Sequence, residues 1–488
     1  MWQADRPLAP VLDWINNGMT IQQLTENAQA DQALDLIRDA TVGTPYEGRL
    51  WMAGGYVRDE LLGRDSKDVD FVVDGGPESG LEAATFIARK LGVYREGSNP
   101  VVFPQYYTAK LTVQTGAGPM DIEFVAPRKE KYEPGSRKPS VASGSLEDDV
   151  LRRDFTVNSL LKNLHTGKVL DLSGRGIKDL RAGVLNTTGD ADWIFGEDPL
   201  RILRAVRFAI KYDFRLPLAV IKSIKKNAHR LHDISTERIN DEVSKILVLK
   251  KPSRAFELFR VTGILKEIMP ELQDLVNLKQ NAYHTKDAFK HTLDVLDASS
   301  PDLVRRLGAL FHDIGKAATR TEKNGKIQFI GHAPVGADIA RVVLRRMKYP
   351  NEVIDRVADI VKYHMDLKGA GADASQLKDS TLRKFIFRVS HNLEDLLDVM
   401  HADNISHSEA ASMPEQIERI RQKISQMDVE DILHTKSILD GNEIRELGAT
   451  GPLIGLIKDR ILEKVLENPN FTRENAVQLA KNMIGARK

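Results

Sequence analysis

Residues 65–75 read DSKDVDFVVDG, an apolar run interrupted by two carboxylates. The apolar positions between 69 and 73 predict a β-strand, in which Asp68 and Asp70 share one face about 6.5–7 Å apart along the chain. Two acids placed in this way either lie at a solvated strand edge or hold a metal ion. For an isolated pair the solvated edge is the commoner case, so the context of the stretch decides its meaning.

A second acidic strand follows at MDIEFV, residues 120–125. Asp121 and Glu123 share one face of this strand, and either could add a third carboxylate to Asp68 and Asp70. Three carboxylates on neighbouring strands can hold a pair of Mg²⁺ ions about 3.5–4 Å apart, as phosphoryl transfer requires. We favour Glu123 as the third carboxylate.

The residues before the acidic strand read AGGYVRDELLG, positions 53–63. Gly54 and Gly55 follow a short apolar strand, LWMA, and precede a predicted helix. Glycine permits close backbone approach to a phosphate, and a helix N-terminus favours anions. Arg58 in the first turn could reach a triphosphate. Two glycines alone are weak support, but glycines followed by an arginine and an acidic strand favour a nucleotide site.

Two arginine-rich stretches follow. In LRRDFTVNSLL, residues 151–161, the polar side chains of Arg152, Arg153, Asp154 and Asn158 could bind ribose and phosphate. The alternative is an ordinary helix start with an arginine–aspartate surface pair.

The second stretch, GEDPLRILRAVRFAIKYDF at residues 196–214, predicts an amphipathic helix with Glu197 and Asp198 at its positive end. Its basic stripe comprises Arg201, Arg204, Arg207 and Lys211. Asp198 and Arg201 together can present an acceptor and donors to a nucleobase edge. The alternative is a solvated basic face.

Composition excludes several classes of protein. The chain has 488 residues, a net charge of +1 and no cysteine, so disulfides and thiolate metal sites are excluded. A length of this kind suggests about three domains. No apolar run of 18 residues is present and the N-terminus lacks the apolar core of a signal peptide, so we expect no membrane association and a cytoplasmic protein.

The pattern changes along the chain. Short β-rich runs and helical stretches alternate to about residue 180, and helical periodicity dominates from about residue 195. These signals predict an α/β head followed by a long helical body. Residues 128–145, RKEKYEPGSRKPSVASGS, predict a mobile basic loop within the head.

Together, GGYVRD, DVD, RRDFTVNSL, GEDPLRILRAVRF and ERINDEV, residues 237–243, resemble the class II tRNA nucleotidyltransferase and bacterial poly(A) polymerase family over about residues 48–275. The resemblance implies an α+β fold, with a polymerase-β-like head followed by helical neck, body and tail. It implies Mg²⁺-dependent addition of CCA to tRNA 3′ ends from CTP and ATP, with release of pyrophosphate. Ser159 stands where the family commonly has alanine.

The same resemblance implies roles for individual residues. Asp68 and Asp70 match Mg²⁺ ligands, and Gly55 and Arg58 match triphosphate-contacting positions. Arg153 matches a nucleotide-binding arginine, Asp198 and Arg201 the base-reading pair, and Arg204 and Arg207 further nucleotide contacts. The basic loop takes the place of the family's flexible loop and favours CCA or CC addition. CC-only addition and poly(A) synthesis stay open as alternatives.

A separate histidine constellation occupies residues 284–405 and resembles the HD phosphohydrolase superfamily. By this likeness one metal, a transition metal or Mg²⁺, is bound by His291, His312, Asp313 and Asp403. His332 and His364 could complete a second site. The likeness suggests hydrolysis of a terminal or cyclic phosphate before nucleotide addition. A scaffold without activity, or an HD phosphohydrolase with a degenerate RNA-binding head, is the alternative.

These signals divide the chain into five segments. We expect an N-terminal extension at 1–47, a nucleotidyltransferase head at 48–194, a neck and body at 195–275, an HD domain at 276–410 and a helical tail at 411–488.

Overall fold

A computed structural model describes residues 21–66, 68–131, 140–280, 286–367, 377–407 and 412–486. The chain separates into two compact units, residues 1–234 and 235–488. This division falls inside the predicted neck and body segment, and the five finer segments stay predictions. Within the described residues, no helix has the length and apolar character needed to cross a membrane.

The first unit contains a sheet, its covering helices and a helical segment. Its strands are β1 (Leu50–Ala53), β2 (Val69–Val73), β3 (Val101–Phe103), β4 (Thr108–Thr115), β5 (Gly118–Val125), β6 (Arg128–Lys131), β7 (Ser140–Ser143), β8 (Leu161–Asn163) and β9 (Val169–Leu170). Its helices are α1 (Ile21–Thr41), α2 (Gly55–Leu61), α3 (Ser79–Lys90), α4 (Leu146–Leu151), α5 (Gly176–Arg181), α6 (Ala191–Glu197), α7 (Leu200–Tyr212) and α8 (Leu218–Asn227).

Seven strands form one sheet in the order β3-β4-β5-β2-β1-β8-β9, in which only the β2–β5 pair is parallel. Side chains alternate between its faces, as the period of two predicts. Phe71 of β2 and Phe124 of β5 are fully buried, and their rings stack 5.1 Å apart. Helices α1 and α3 pack against the sheet. The predicted α/β head is confirmed.

One local prediction is wrong in part. Residues 128–145 begin and end in strands, because β6 and β7 pair as a two-stranded antiparallel ribbon. The tip of the predicted basic loop, residues 132–139, lies outside the described residues. Residues 156–158 form a 3₁₀ turn, and the helix α4 before them ends at Leu151.

The second unit is almost entirely helical, as predicted. Its helices are α9 (Thr236–Leu247), α10 (Ser253–Thr262), α11 (Ile264–Ile268), α12 (Pro270–Gln273), α13 (Ala288–Ala298), α14 (Leu303–Phe311), α15 (Lys316–Thr319), α16 (His332–Arg346), α17 (Asn351–Tyr363), α18 (Asp379–Val389), α19 (Leu393–Ile405), α20 (Gln416–Ser425), α21 (Val429–His434), α22 (Gly441–Glu446), α23 (Pro452–Glu467) and α24 (Arg473–Gly485). One short hairpin, β10 (Thr321–Lys323) and β11 (Lys326–Gln328), interrupts them.

Candidate active site and metal centre

The sheet brings two of the predicted acids together. Asp70 on β2 and Glu123 on β5 are direct partners in the parallel register, so they share a face on strands about 4.8 Å apart. Asp68 comes one residue before β2, and all three residues are exposed. The carboxylate oxygens of these three residues are ligands that suit a hard cation such as Mg²⁺.

The acids also interact electrostatically. Although Asp70 reaches solvent, desolvation by the surrounding protein raises the pKa of its carboxyl to about 6. The carboxylates of Glu123 and Asp68 add to this rise in pKa, whereas the guanidinium of Arg153 opposes it. Such clustering of like charge is unfavourable without a cation, so the chemistry of the donor set fits a divalent metal ion.

The structure distinguishes Glu123 from Asp121, the other candidate for the third carboxylate. Asp121 Oδ2 lies 2.7 Å from Lys110 Nζ, and Asp121 Oδ1 accepts a hydrogen bond of 2.7 Å from Thr112 Oγ1. The Lys110 ion pair and the Thr112 hydrogen bond lower the pKa of Asp121. The carboxylate of Asp121 is thus already engaged, which supports the choice of Glu123.

Gly54 makes the turn between β1 and α2. Its φ of 68° lies in the left-handed region that favours glycine. A Cβ at this position would also approach Nη1 of Arg153 to 3.2 Å. Glycine therefore satisfies both the backbone conformation and the close approach of Arg153. At Gly55 a Cβ would lie 3.5 Å from Arg58 Nη2, an ordinary contact.

Arg58 is only 4% exposed, and its guanidinium is engaged within the protein. It donates to both carboxylate oxygens of Asp59 at 2.8 and 2.9 Å and to Asn158 Oδ1 at 2.5 Å. It also donates to the hydroxyl of Tyr212, over whose ring it lies at 4.2 Å. Arg58 therefore joins α2 to α7, and its predicted contact with a triphosphate stays a prediction.

Asn158 extends this network. Its amide donates to Asp154 Oδ1 at 3.0 Å, and Asp154 Oδ2 accepts from Arg204 Nε at 2.8 Å. Burial works to raise the pKa of Asp154, but Arg204 and the Asn158 amide together lower it. Asp154 is therefore held as a carboxylate that fixes Arg204 of α7 beside the 3₁₀ turn.

Sequence reasoning missed Asp149, a fully buried carboxylate. It accepts from Arg152 Nε at 3.0 Å and from Arg153 Nη2 at 2.8 Å. Burial works to raise the pKa of Asp149, but the two arginines lower it. An acid three and four residues before two arginines is the signal that could have identified this pair.

Arg201 is held by groups of the protein. Its Nη1 lies 2.9 Å from Glu197 Oε2, and its Nη2 donates to the carbonyl of Arg152 at 2.9 Å. Asp198 Oδ1 accepts from the backbone N–H of Leu200 at the start of α7. The joint base-reading role of Asp198 and Arg201 stays a prediction. Arg207 lies over the ring of Phe208, with its guanidinium carbon 4.4 Å from the ring centroid.

The second unit brings the predicted HD residues together. His291 is on α13, His312 and Asp313 follow α14, and the remaining ligands lie on or after three other helices: His332, His364 and Asp403. All but His332 are at most 2% exposed. Two groups among these residues have ligand atoms within 4.8 Å of one another: His291, His312 and Asp313, and Asp313, His332 and His364.

The distances among these ligand atoms suit metal coordination. His312 Nε2 lies 3.1 Å from Asp313 Oδ2, and His332 Nε2 lies 3.4 Å from both Asp313 Oδ1 and His364 Nε2. Two ligands that bind one ion at about 2.1 Å are about 3.0–3.4 Å apart. The two carboxylate oxygens of Asp313 thus face different histidines.

Backbone carbonyls orient three of the rings. The Nδ1 atoms of His312, His332 and His364 lie 2.7–2.9 Å from carbonyl oxygens three residues earlier. Nδ1–H donation to these carbonyls leaves Nε2 with the lone pair that binds a metal.

Two atoms of the centre are buried without a hydrogen bond, His312 Nε2 and Asp313 Oδ2. Lys316 Nζ is 2.6 Å from Asp313 Oδ2, but this ion pair lacks hydrogen-bond geometry. Buried polar atoms are usually satisfied, so this pair fits a metal ion between them. The donor set and the two unsatisfied atoms together support a metal centre.

Sequence reasoning also missed His407. One ring nitrogen of His407 lies within 4.8 Å of ligand atoms of His291 and Asp403. Its Nδ1 lies 2.6 Å from the carbonyl oxygen of Asp403. The spacing of four residues from Asp403 could have placed His407 on the same side of the chain.

Three known protein families match stretches of the chain. They are a Poly A polymerase head domain over residues 50–186, a probable RNA and SrmB-binding site of polymerase A over residues 213–275, and an HD domain over residues 258–407. The solved structure of a Bacillus stearothermophilus CCA-adding enzyme in complex with CTP has the same fold, with a TM-score of 0.62 and 23% identity. That likeness covers 94% of this chain and 98% of the other.

Two curated relatives are more similar in sequence. A CC-adding tRNA nucleotidyltransferase of Thermus thermophilus is 32% identical over 442 residues, which cover 87% of this chain and 91% of the relative. A multifunctional CCA protein of Cupriavidus necator is 32% identical over 331 residues, 65% of this chain and 75% of the relative. The chain therefore belongs to the tRNA nucleotidyltransferase and poly(A) polymerase family of enzymes and carries an HD domain.

Proposed function

We propose that this protein adds CCA to the 3′ ends of tRNA from CTP and ATP, without a nucleic-acid template. The pairing of Asp70 with Glu123 on one sheet face, with the carboxylate of Asp68 close by, carries the proposal, because nucleotidyl transfer needs clustered carboxylates that hold metal ions. Similarity to tRNA nucleotidyltransferases over most of the chain supplies the substrate class.

In the proposed reaction, the 3′-hydroxyl of the RNA attacks the α-phosphorus of the nucleotide in line, and pyrophosphate leaves. Asp68, Asp70 and Glu123 would hold Mg²⁺, which when bound activates the hydroxyl and neutralises charge on the leaving group. The protein itself chiefly positions the reactants and balances their charge.

The nucleotide would lie between the Gly54 turn and α7. Gly54 and Gly55 leave room for the phosphates, and Arg153 supplies positive charge beside Asp70. The remaining nucleotide contacts that we propose come from the buried network and α7: Arg58, Asn158, Asp198, Arg201, Arg204 and Arg207. The network observed around Asp154 would hold Arg204 in place for this role.

Addition of CC alone is the second candidate, because the relative from Thermus thermophilus is named a CC-adding enzyme. The two activities differ only in the last step. Purified protein is therefore incubated with tRNA lacking CCA, tRNA ending in CC and an unrelated RNA, each with CTP and ATP separately and together. CCA addition requires AMP incorporation on the CC end, whereas a CC-adding enzyme stops there.

Asp70→Ala is the matching inactive variant, and it should abolish every extension while leaving the metal centre of the second unit unchanged. Failure of the unaltered protein to extend any tRNA would refute the proposed function. Long runs of A on the unrelated RNA would instead indicate a poly(A) polymerase.

The HD centre supports a second activity, hydrolysis of a terminal or cyclic phosphate on RNA before nucleotide addition. The buried atoms His312 Nε2 and Asp313 Oδ2, which lack hydrogen bonds, favour a bound metal ion, which such a hydrolase needs. The test is phosphate release from RNA ending in a 2′,3′-cyclic phosphate. Unchanged release in a His312→Ala, Asp313→Ala protein would assign the activity elsewhere.

A further inference from the structure

The face that carries the catalytic acids continues across the sheet. Glu123 is the register partner of Lys110 on β4, and Lys110 is the partner of Val101 on β3. Asp70, Glu123, Lys110 and Val101 therefore form one row on one face. Three strand spacings of about 4.8 Å separate the first of these residues from the last.

Strand β3 exposes apolar side chains at the end of this row. Val101 and Phe103 are each 39% exposed and, two residues apart, share the catalytic face. Val102 is 44% exposed and faces the other way. Within the described part of the chain, no strand pairs with the outer edge of β3. An open edge with exposed apolar residues is a liability that proteins keep where it has a use.

The geometry of in-line transfer indicates which substrate lies on the β5, β4 and β3 side of the acids. Gly54 follows β1, and Arg153 lies beside it, so the triphosphate-binding groups flank Asp70 on the side away from Glu123. In-line displacement places the attacking hydroxyl opposite the leaving pyrophosphate. The RNA 3′ end therefore approaches along β5, β4 and β3.

The chemistry of the edge fits RNA. An aromatic ring provides a surface on which any base can stack. Arg128 Nη1 donates to Thr108 Oγ1, on the register partner of Phe103, at 3.2 Å and to the carbonyl oxygen of Tyr106 at 2.5 Å, so this half-buried guanidinium adds positive charge close to the edge strand.

We propose that Val101 and Phe103 form a stacking platform, the β3 ledge, for the last bases of the RNA that is extended. The ledge rests on the proposed function, since it needs an RNA acceptor at the acids of β2 and β5. In this proposal Phe103 positions the RNA that accepts the nucleotide. It does not contact the incoming nucleotide.

The test separates acceptor binding from nucleotide binding. Phe103→Ala should raise the KM for tRNA about 10-fold and leave the KM for CTP within about twofold, because loss of a stacking ring weakens only the acceptor. Phe103→Tyr should restore the KM for tRNA. Val102→Ala removes an equally exposed side chain from the opposite face of the same strand and should change neither constant.

The same three full-length variants are compared for tRNA binding by filter retention. Nucleotide is left out, so that no turnover occurs. The ledge is refuted if Phe103→Ala binds and uses tRNA like the unaltered protein, or if Val102→Ala weakens it equally. An unaltered protein that binds tRNA through Phe103 but never extends it would refute the proposed function alone. Thermal melting checks that each variant folds.

Discussion

The sharpest test of the active site compares two acids on one strand. Glu123→Gln and Asp121→Asn each remove one negative charge from the same exposed face of β5. Glu123 is the register partner of Asp70, about 4.8 Å away on the next strand. Loss of this carboxylate weakens the hold on a metal ion whose stabilisation of the transition state is worth several kcal/mol, and about 3 kcal/mol of it corresponds to about 10²-fold in rate.

We therefore expect Glu123→Gln to slow nucleotide incorporation about 100-fold or more. Asp121 is tied to Lys110 in an ion pair whose side chains are 49% and 43% exposed. Such surface pairs contribute about 0–1 kcal/mol, so Asp121→Asn should change the rate by less than about fivefold.

The assay is single-turnover incorporation of labelled CMP into tRNA lacking CCA, at saturating CTP and Mg²⁺. Melting curves of both variants establish that they are folded. Equal rates in the two variants, or a larger loss in Asp121→Asn, would show that Glu123 is not the third carboxylate.

Three further predictions follow from buried contacts. Asp149→Asn leaves its two arginines without a carboxylate and should destabilise the first unit by about 3 kcal/mol, measured by denaturant unfolding. Because the folded-state pKa of Asp149 lies below 3.8, its stabilisation is complete above that pH and is lost as the pH falls further; the variant should lack this part of the acid dependence. Gly315→Ala would place a Cβ 2.1 Å from a backbone carbonyl of α16 and should cost more than about 3 kcal/mol, whereas Gly455→Ala has open space inside α23 and should stabilise by about 1 kcal/mol, because alanine favours a helix over glycine. His407→Ala should weaken divalent-metal retention by the second unit about 10–100-fold in equilibrium dialysis, whereas His401→Ala, on α19 and outside the candidate ligand groups, should retain it; equal losses would remove His407 from the centre.

Local pattern was enough for much of the head. The alternation of apolar and acidic residues around Asp70 and at 120–125 placed both strands, because side chains in a strand alternate with a period of two. The amphipathic period of residues 200–212 likewise predicted α7. These are properties of consecutive residues and need no knowledge of the fold.

Other features depend on residues distant in the chain. The burial of Arg58 requires Asn158 and Tyr212, which are 100 and 154 residues away. Its position in the first turn of α2 could be read from the sequence, but its partners could not, because they come from distant parts of the chain. Residues 128–145 were predicted to be a loop because their composition is typical of one, yet cross-strand pairing made strands of both ends.

By itself, the sequence determined the class of chemistry and the kinds of ligand, since carboxylates, arginines and imidazoles at these spacings suit few reactions. Only the tertiary structure decided which groups meet. It paired Asp70 with Glu123 while Lys110 engaged Asp121, and it enclosed Asp149 between two arginines. Strand register and helix packing set these contacts, because they bring together side chains whose separation along the chain carries no information about their distance in space.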